Sequence, residues 1–396
     1  MISQRQLFFD HLAQTTDFPM AVEVEKAEGV YLYGPDGQRY IDLISGIGVS
    51  NVGHRHPKVL AAIQEQLDRY LHVMVYGEFI QSPQTALAQA LSESLPAPLD
   101  NVFLVNSGTE AVEGALKLAK RYTGRYEIIS CTNAYHGSSH GALAVSGSEE
   151  FKRAYRPLPP GISHIRFGHE EDLLQINERT AAIIIETVQG EAGVREADKD
   201  YWQALRKRCT ATGTLLILDE IQAGFGRTGK FWAFEHYDIR PDILVSAKGM
   251  GGGMPIGAFM SSMEIMKVLR NNPLLGHIST FGGHPVSAAA SLATLRVIRE
   301  EQLYAKAEEK ASRIRQHLQH PAIKEIRNKG LMMAVEFASF EELKAVIDRA
   351  VAKGIITDWF LYCDNSMRIA PPLTITDTEI DEACALVMEA IKEEFG

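Results

Sequence analysis

Leu215-Leu216-Ile217-Leu218 runs without a break into Asp219-Glu220, then Ile221-Gln222-Ala223-Gly224-Phe225-Gly226-Arg227-Thr228-Gly229. Four aliphatic residues in a row, with no polar alternation, read as a short strand buried on both faces, as in a parallel sheet. Asp219 then stands at the carboxyl end of that strand, where open α/β sheets bind ligands. Similar apolar runs occur at 102–105, 127–131, 163–166, 183–187, 243–246 and 256–260, most of them separated by helical patterns such as 200–208. This rhythm predicts an α/β fold, with a mostly parallel seven-stranded sheet flanked by helices. A glycine-rich loop, not a helix, joins the last two runs, so the 256–260 strand is expected to be antiparallel.

Further out, Val30-Tyr31-Leu32-Tyr33 and Tyr40-Ile41-Asp42-Leu43 flank a Gly34-Pro35-Asp36-Gly37 turn and read as a hairpin. A long helix is expected from Ser287 to about Glu301. The tail from about 320 mixes strands and helices, as in Leu331-Met332-Met333-Ala334-Val335-Glu336-Phe337. The expected division is an N-terminal segment 1–50 contributing to a small lobe, a large unit 51–285, and a C-terminal unit 286–396. Segment and tail together are expected to form a smaller α+β domain. There is no internal repeat and no low-complexity linker.

The 396 residues suffice for a large core. A formal net charge of −10 disfavours nucleic acid as a partner. Cys131, Cys209, Cys363 and Cys384 are scattered without a C-x-x-C pair and read as core thiols. The opening residues 1–10 lack a long apolar stretch, and no uncharged run is long enough to span a bilayer. A reducing cytoplasm is the expected compartment, with no membrane partner.

Two more strand ends carry chemistry. Lys248, in Ser246-Ala247-Lys248-Gly249, follows the 243–246 run and precedes Gly251, Gly252 and Gly253. A lysine buried there loses charge readily and becomes a nucleophile that forms Schiff bases with carbonyl compounds, pyridoxal phosphate being the commonest cofactor case; the plainer alternative is a surface lysine. After the 102–105 run, Ser107-Gly108-Thr109 opens a helical pattern, where free backbone N–H groups and the helix dipole favour a phosphate. Alone, these residues are also a helix cap. A carboxylate at Asp219 suits a pyridine nitrogen that must stay protonated; the plainer alternative is a helix cap or a metal ligand. No His/Cys/Asp cluster has ligand spacing, so no metal is expected. Neither G-x-G-x-x-G opening a helix nor G-x-x-x-x-G-K-[ST] is present.

Taken together, Asn106-Ser107-Gly108-Thr109-Glu110-Ala111, Tyr135-His136-Gly137, Glu186-Thr187-Val188-Gln189-Gly190-Glu191, the 218–229 stretch, Ser246-Ala247-Lys248-Gly249 and Ser279-Thr280-Phe281-Gly282-Gly283 resemble the class III pyridoxal-phosphate-dependent aminotransferases. Those enzymes act on ornithine, N-acetylornithine, 4-aminobutyrate and other ω-amines. The motifs fall in the family's order and cover nearly the whole chain. The resemblance implies fold type I and pyridoxal 5'-phosphate as cofactor. It implies Lys248 as the Schiff-base lysine and proton carrier, Asp219 against the pyridine nitrogen, and Gln222 near the phenolic oxygen. Tyr135 is implied on the ring face, with ordinary core packing as its alternative. Ser107, Gly108 and Thr109 are implied at the phosphate. Thr280 is implied at the phosphate of a neighbouring subunit's cofactor, hence a homodimer with shared sites.

For substrates, Arg368, in Met367-Arg368-Ile369-Ala370-Pro371-Pro372, matches the family arginine that grips the α-carboxylate of glutamate. Glu191 matches the glutamate that masks it when an ω-amine is bound. The implied reaction is ping-pong transfer of an amino group to 2-oxoglutarate. Ser138 departs from the pattern, since many members carry arginine after the aromatic-His-Gly triplet to hold the first substrate's carboxylate. His136, His140 and Arg166 are candidate replacements. Ile47 is a candidate pocket wall where ornithine enzymes tend to have tyrosine, with core packing as its alternative. The donor is therefore not fixed by the sequence, nor is the choice between 2-oxoglutarate and pyruvate.

Three other readings compete. An aminomutase, racemase or decarboxylase on the same fold would not need both Glu191 and Arg368. A cofactor-free Schiff-base lyase would leave Asp219, Gln222 and the Ser107–Thr109 loop without purpose. A non-catalytic pyridoxal-phosphate-binding regulator would not need Lys248.

Overall fold

The computed structural model describes residues 3–396; Met1 and Ile2, at the start of the expected 1–50 segment, lie outside the described residues. The central sheet has seven strands, ordered Asn101–Val105, Gly257–Ser261, Ile243–Ser246, Leu215–Asp219, Thr180–Glu186, Glu127–Cys131, Ile162–Ile165. Gly257–Ser261 runs antiparallel to both its neighbours, as its short glycine-rich connection requires. The other paired strands are parallel. Every residue of Leu215–Asp219 and of Thr180–Glu186 is buried, which is why these strands carry no polar alternation.

The Gly108–Thr123 helix shows how sequence becomes packing. Ser107 caps its start, with its hydroxyl accepting from Glu110 N–H, and Gly124 ends it in a left-handed conformation. Ala111, Val112, Ala115, Leu118 and Ala119 recur at helical spacing and are all buried against the sheet. Gly114 sits where a Cβ would come within 2.3 Å of Phe259, so the helix approaches the Gly257–Ser261 strand closely.

A second core joins the two ends of the chain. Tyr31–Tyr33 and Arg39–Asp42 pair as the expected hairpin, and Ile355–Ile356 adds to it in parallel. Beside it, Glu325–Lys329, Met332–Glu336, Cys363–Ile369 and Trp359–Phe360 form an antiparallel sheet. Val30, Ile41 and Leu43 pack with Met333, Val335, Ile369 and the helices Ala307–His317, Phe340–Ala352 and Asp377–Phe395. The Pro285–Glu300 helix, read as the start of the C-terminal unit, packs instead on helices Pro57–Leu67 and Ser82–Ser92 and places Ala288, Ala290 and Leu295 in the large core. Its proline occupies the first turn, where a missing N–H costs nothing.

Arg227 ties the two cores together. It is fully buried and donates to the carbonyls of Leu331 and Pro371 and to Asn51 Oδ1, while its own carbonyl accepts from Leu331 N–H. Arg227→Ala is expected to lower stability by about 3 kcal/mol, because it strands these buried acceptors. Denaturant titration checks this; a loss under about 1 kcal/mol would mean that the clamp is not needed.

Candidate active site

The carboxyl ends of Asn101–Val105, Glu127–Cys131, Thr180–Glu186, Leu215–Asp219 and Ile243–Ser246 surround one cavity of about 500 Å³. Its wall includes Ser107, Gly108, Thr109, Tyr135, Asp219, Gln222 and Lys248. Glu191, Arg368 and Ile47 lie outside that wall. Arg368 and Ile47 line a small void that shares Gln222 with the cavity, and Glu191 bonds to Gln222.

At one end, the amides of Gly108 and Thr109 find no acceptor among the described residues, as expected of a helix's first turn. A Cβ on Gly108 would meet Ile221 Cδ1 at 2.9 Å, so the backbone there has no room for a side chain. Gly137, at φ +126°, brings the opposite loop so close that a Cβ would lie 2.5 Å from Thr109 Oγ1. The Thr109 hydroxyl is within 2.7 Å of Ser139 Oγ.

Asp219 is buried at the end of its strand. His136 Nδ1 lies 2.7 Å from Oδ2, and Ile221 N–H donates to Oδ1 at 3.0 Å. His136 Nε2 reaches Ser130 Oγ at 3.2 Å. A singly protonated imidazole satisfies both contacts with Nδ1–H donating to Asp219 and Ser130 O–H donating to Nε2. His136 is thus occupied as the support of Asp219 and is not a replacement for the missing arginine.

Lys248 follows the Ile243–Ser246 strand at φ +48°, a left-handed conformation that a side-chain-bearing residue adopts only when its surroundings impose it. No hydrogen bond among the described residues involves its Nζ. Burial pushes the amine below the ordinary lysine value and nearby Arg368 adds to this, against the opposing pull of Glu191, Asp219 and Glu186.

Glu186 is a cavity residue that the sequence reading carried only inside a motif. Its Oε2 accepts from Tyr135 N–H and its Oε1 from Gly190 N–H, each at 3.0 Å. Burial, then the charge of Asp219, raises it well above the usual carboxyl range, against the lowering pull of those two N–H groups. Its sequence signal was the same as that of Asp219: a carboxylate ending an apolar strand.

Tyr135 lines the cavity instead of packing in the core; its hydroxyl is 3.3 Å from Ser138 Oγ and its ring faces Tyr362 at 6.4 Å. Arg368 and Glu191 form a bidentate pair at 2.9 and 3.0 Å, both side chains nearly fully buried. Gln222 Nε2 donates to Glu191 Oε1 at 3.2 Å and Leu361 N–H to Oε2 at 3.1 Å. Burial alone would raise Glu191, but the Arg368 charge and hydrogen bonds override it and hold the carboxyl at about 2. A carboxyl lowered on folding stabilises the folded state above its unfolded pKa and loses that contribution as pH falls through the folded one. The Glu191 share should therefore be complete above about 4.5 and withdrawn between there and about 2. Acid titration of Glu191→Gln should give a shallower loss of stability over that window than wild type; parallel curves would contradict the assignment.

Ile47 belongs to a turn, Ser45–Gly48, whose residues all have positive φ. For Ile47, at φ +65°, this costs roughly 1–2 kcal/mol. No periodicity in the sequence announces such a turn. The other two proposed stand-ins for the missing arginine are placed elsewhere: Arg166 is exposed and held by Asp172 and Glu171, and His140 is exposed outside the cavity wall. Thr280 is likewise exposed and outside the wall.

The donor set fits pyridoxal phosphate. It offers an unpaired lysine amine, a buried carboxylate, free helix-end amides, and glycines at the two places where a side chain would fill the cradle. Among the described residues no cluster of His, Cys, Asp and Glu could hold a metal ion, and no helix is long and apolar enough to cross a membrane.

Comparison with known proteins agrees. The family described as "Aminotransferase class-III" matches residues 12–391. An acetylornithine aminotransferase of Methanopyrus kandleri is 38% identical over 388 residues, spanning 96% of this chain and 97% of that protein. An ornithine aminotransferase structure from Toxoplasma gondii, with partial occupancy of PLP at its active site, superposes with a TM-score of 0.90 at 30% identity, over 100% of this chain and 96% of that one. A transaminase from the marine bacterium Virgibacillus gives 0.92 at 27% identity, covering 98% of each chain. The chain belongs to the class-III aminotransferases, and is a transaminase that depends on pyridoxal phosphate.

Proposed function

We propose that this transaminase moves an amino group from an ω-amino acid or amine, of the acetylornithine, ornithine or 4-aminobutyrate kind, to 2-oxoglutarate by a ping-pong cycle. The observation that carries this reading is the buried bidentate Glu191–Arg368 pair beside the cavity. With Glu191 seated, the guanidinium edge is masked and the site suits a substrate end without an α-carboxylate. With Glu191 withdrawn, the same planar edge matches the carboxylate of glutamate or 2-oxoglutarate.

The bound cofactor supplies an electron sink for the carbanion formed when a proton leaves the substrate carbon. The chain's own residues do the rest. Lys248 Nζ, whose burial disfavours its charged form, would anchor the cofactor and then carry the proton from one carbon to the other. Asp219, oriented by His136, would hold a proton on the ring nitrogen. Gln222 would hold the phenolic oxygen, Tyr135 would cover the ring, and Ser107, Gly108 and Thr109 would hold the phosphate. Ile47 walls the substrate side.

The donor's far end is recognised without the family arginine. Lys248 is the one cation in the cavity wall among the described residues, which favours donors that do not place an acid beside Ser138. Exposed Ile80, Phe79, Leu274, Ile278 and Phe281, together with exposed Thr280, support a homodimer in which Thr280 reaches the partner's phosphate. Four free cysteines support a reducing cytoplasm. The two cores support the small-lobe, large-unit and tail division, with the second boundary moved beyond Glu300.

Arg368→Ala tests the reading. It should slow the glutamate half-reaction by roughly a hundredfold more than the amine half-reaction. Equal loss in both would remove the switch.

A further inference from the structure

Arg368 is held by more than the switch. Its Nε–H donates to Asp358 Oδ1 at 2.8 Å, its Nη2 also donates to the carbonyl of Trp359 at 3.2 Å, and its face lies 4.4 Å from the Phe360 ring centroid. The two carboxylates on this guanidinium come from different segments of the chain. Glu191 belongs to the loop after Thr180–Glu186, in the central sheet. Asp358 immediately precedes Trp359–Phe360, a strand of the same small sheet as Arg368: Arg368 N–H donates to the Asp358 carbonyl at 2.9 Å and Thr357 Oγ1 donates to the Arg368 carbonyl at 2.8 Å. The contacts of Asp358 with Arg368 do not pass through Glu191.

We infer that Asp358 is a positioning residue for the acceptor: it grips the Nε side of Arg368 so that the Nη1–Nη2 edge keeps its aim after Glu191 has withdrawn. The inference rests on the reading of Arg368 as the site of the acceptor carboxylate. An arginine side chain has several rotatable bonds, and its fork binds a carboxylate bidentately only when both Nη groups face it. The Glu191 carboxylate enforces that orientation in the closed state and cannot do so in the open one. Asp358, Trp359 and Phe360 can, because each holds a part of the guanidinium that the substrate does not use.

Charge is not the main contribution of Asp358. Glu191 and the substrate carboxylate exchange on one edge, so the field of Asp358 acts on both and largely cancels in the exchange. What does not cancel is the direction of the edge. An amide oxygen accepts from Nε–H as a carboxylate oxygen does, so asparagine should serve almost as well, whereas alanine should not.

The test uses the holoenzyme titrated with glutamate alone, following the cofactor's visible band for wild type, Asp358→Ala, Asp358→Asn and Arg368→Ala. Asp358→Ala should raise the half-saturating glutamate concentration about tenfold to a hundredfold, with a much smaller change in the limiting rate. Asp358→Asn should stay within roughly threefold of wild type. The inference is overturned if Asp358→Ala leaves half-saturation unchanged, or if Asp358→Asn is impaired as badly as Asp358→Ala. If Arg368→Ala is impaired and Asp358→Ala is not, only the role of Asp358 fails; if Arg368→Ala itself leaves glutamate half-saturation unchanged, the underlying reading fails with it.

Discussion

Lys248→Ala is expected to lower the transamination rate by at least about a thousandfold while the protein still retains pyridoxal phosphate non-covalently. The two halves of this expectation have separate causes. The rate falls because one amine, Nζ, both anchors the cofactor and carries the proton between carbons, and no other amine lines the cavity among the described residues. Retention persists because the phosphate cradle of Gly108 and Thr109, the carboxylate of Asp219 and the wall at Tyr135 do not involve Lys248. Steady-state rates, together with cofactor content after gel filtration, measure both. Turnover at the wild-type rate would remove Lys248 from its assigned place.

Asp219→Ala should produce the second large effect, a loss of roughly a hundredfold to a thousandfold in rate. A buried carboxylate keeps a ring nitrogen protonated because neutralising it there would leave charge uncompensated in a dry site. The substitution also unpairs His136 Nδ1 and Ile221 N–H, which should cost about 1–3 kcal/mol of stability for each group left unsatisfied. A structural explanation alone would predict a lowered melting temperature with activity intact below it. The account here predicts that activity is lost even at temperatures where the variant is fully folded.

Much of the fold could be read from the chain because its strands are buried on both faces. Leu215–Asp219 and Ile243–Ser246 announce themselves as unbroken aliphatic runs, and the glycine-rich link to Gly257–Ser261 foretold the one antiparallel strand of the central sheet. Thr180–Glu186 was read as starting at 183 because Ala181 and Ala182 are small; the structure buries both completely. The Pro285–Glu300 helix was read as opening the C-terminal unit, whereas its buried face packs in the large core, since helical spacing reports that a face is buried and not what covers it.

The site divides in the same way. Residues at strand ends, such as Lys248 and Asp219, are legible because a break in an apolar run marks where the chain emerges, and the structure brings them to one cavity. Arg166 shows the limit: a free arginine in sequence becomes, in three dimensions, the partner of Asp172. The hold of Asp358 on Arg368, the raised carboxyl of Glu186 and the left-handed turn at Ile47 depend on contacts between distant segments, which no spacing encodes.

The central claim is that glutamate and 2-oxoglutarate form one side of the cycle through Arg368. The most direct test is to load the wild-type protein with pyridoxal phosphate and record its visible spectrum before and after adding glutamate alone. The account predicts that the band of the lysine-bound cofactor is lost and that 2-oxoglutarate appears in proportion. A band that glutamate leaves unchanged, in a protein that still holds its cofactor, would contradict it and move the acceptor to another oxo acid such as pyruvate.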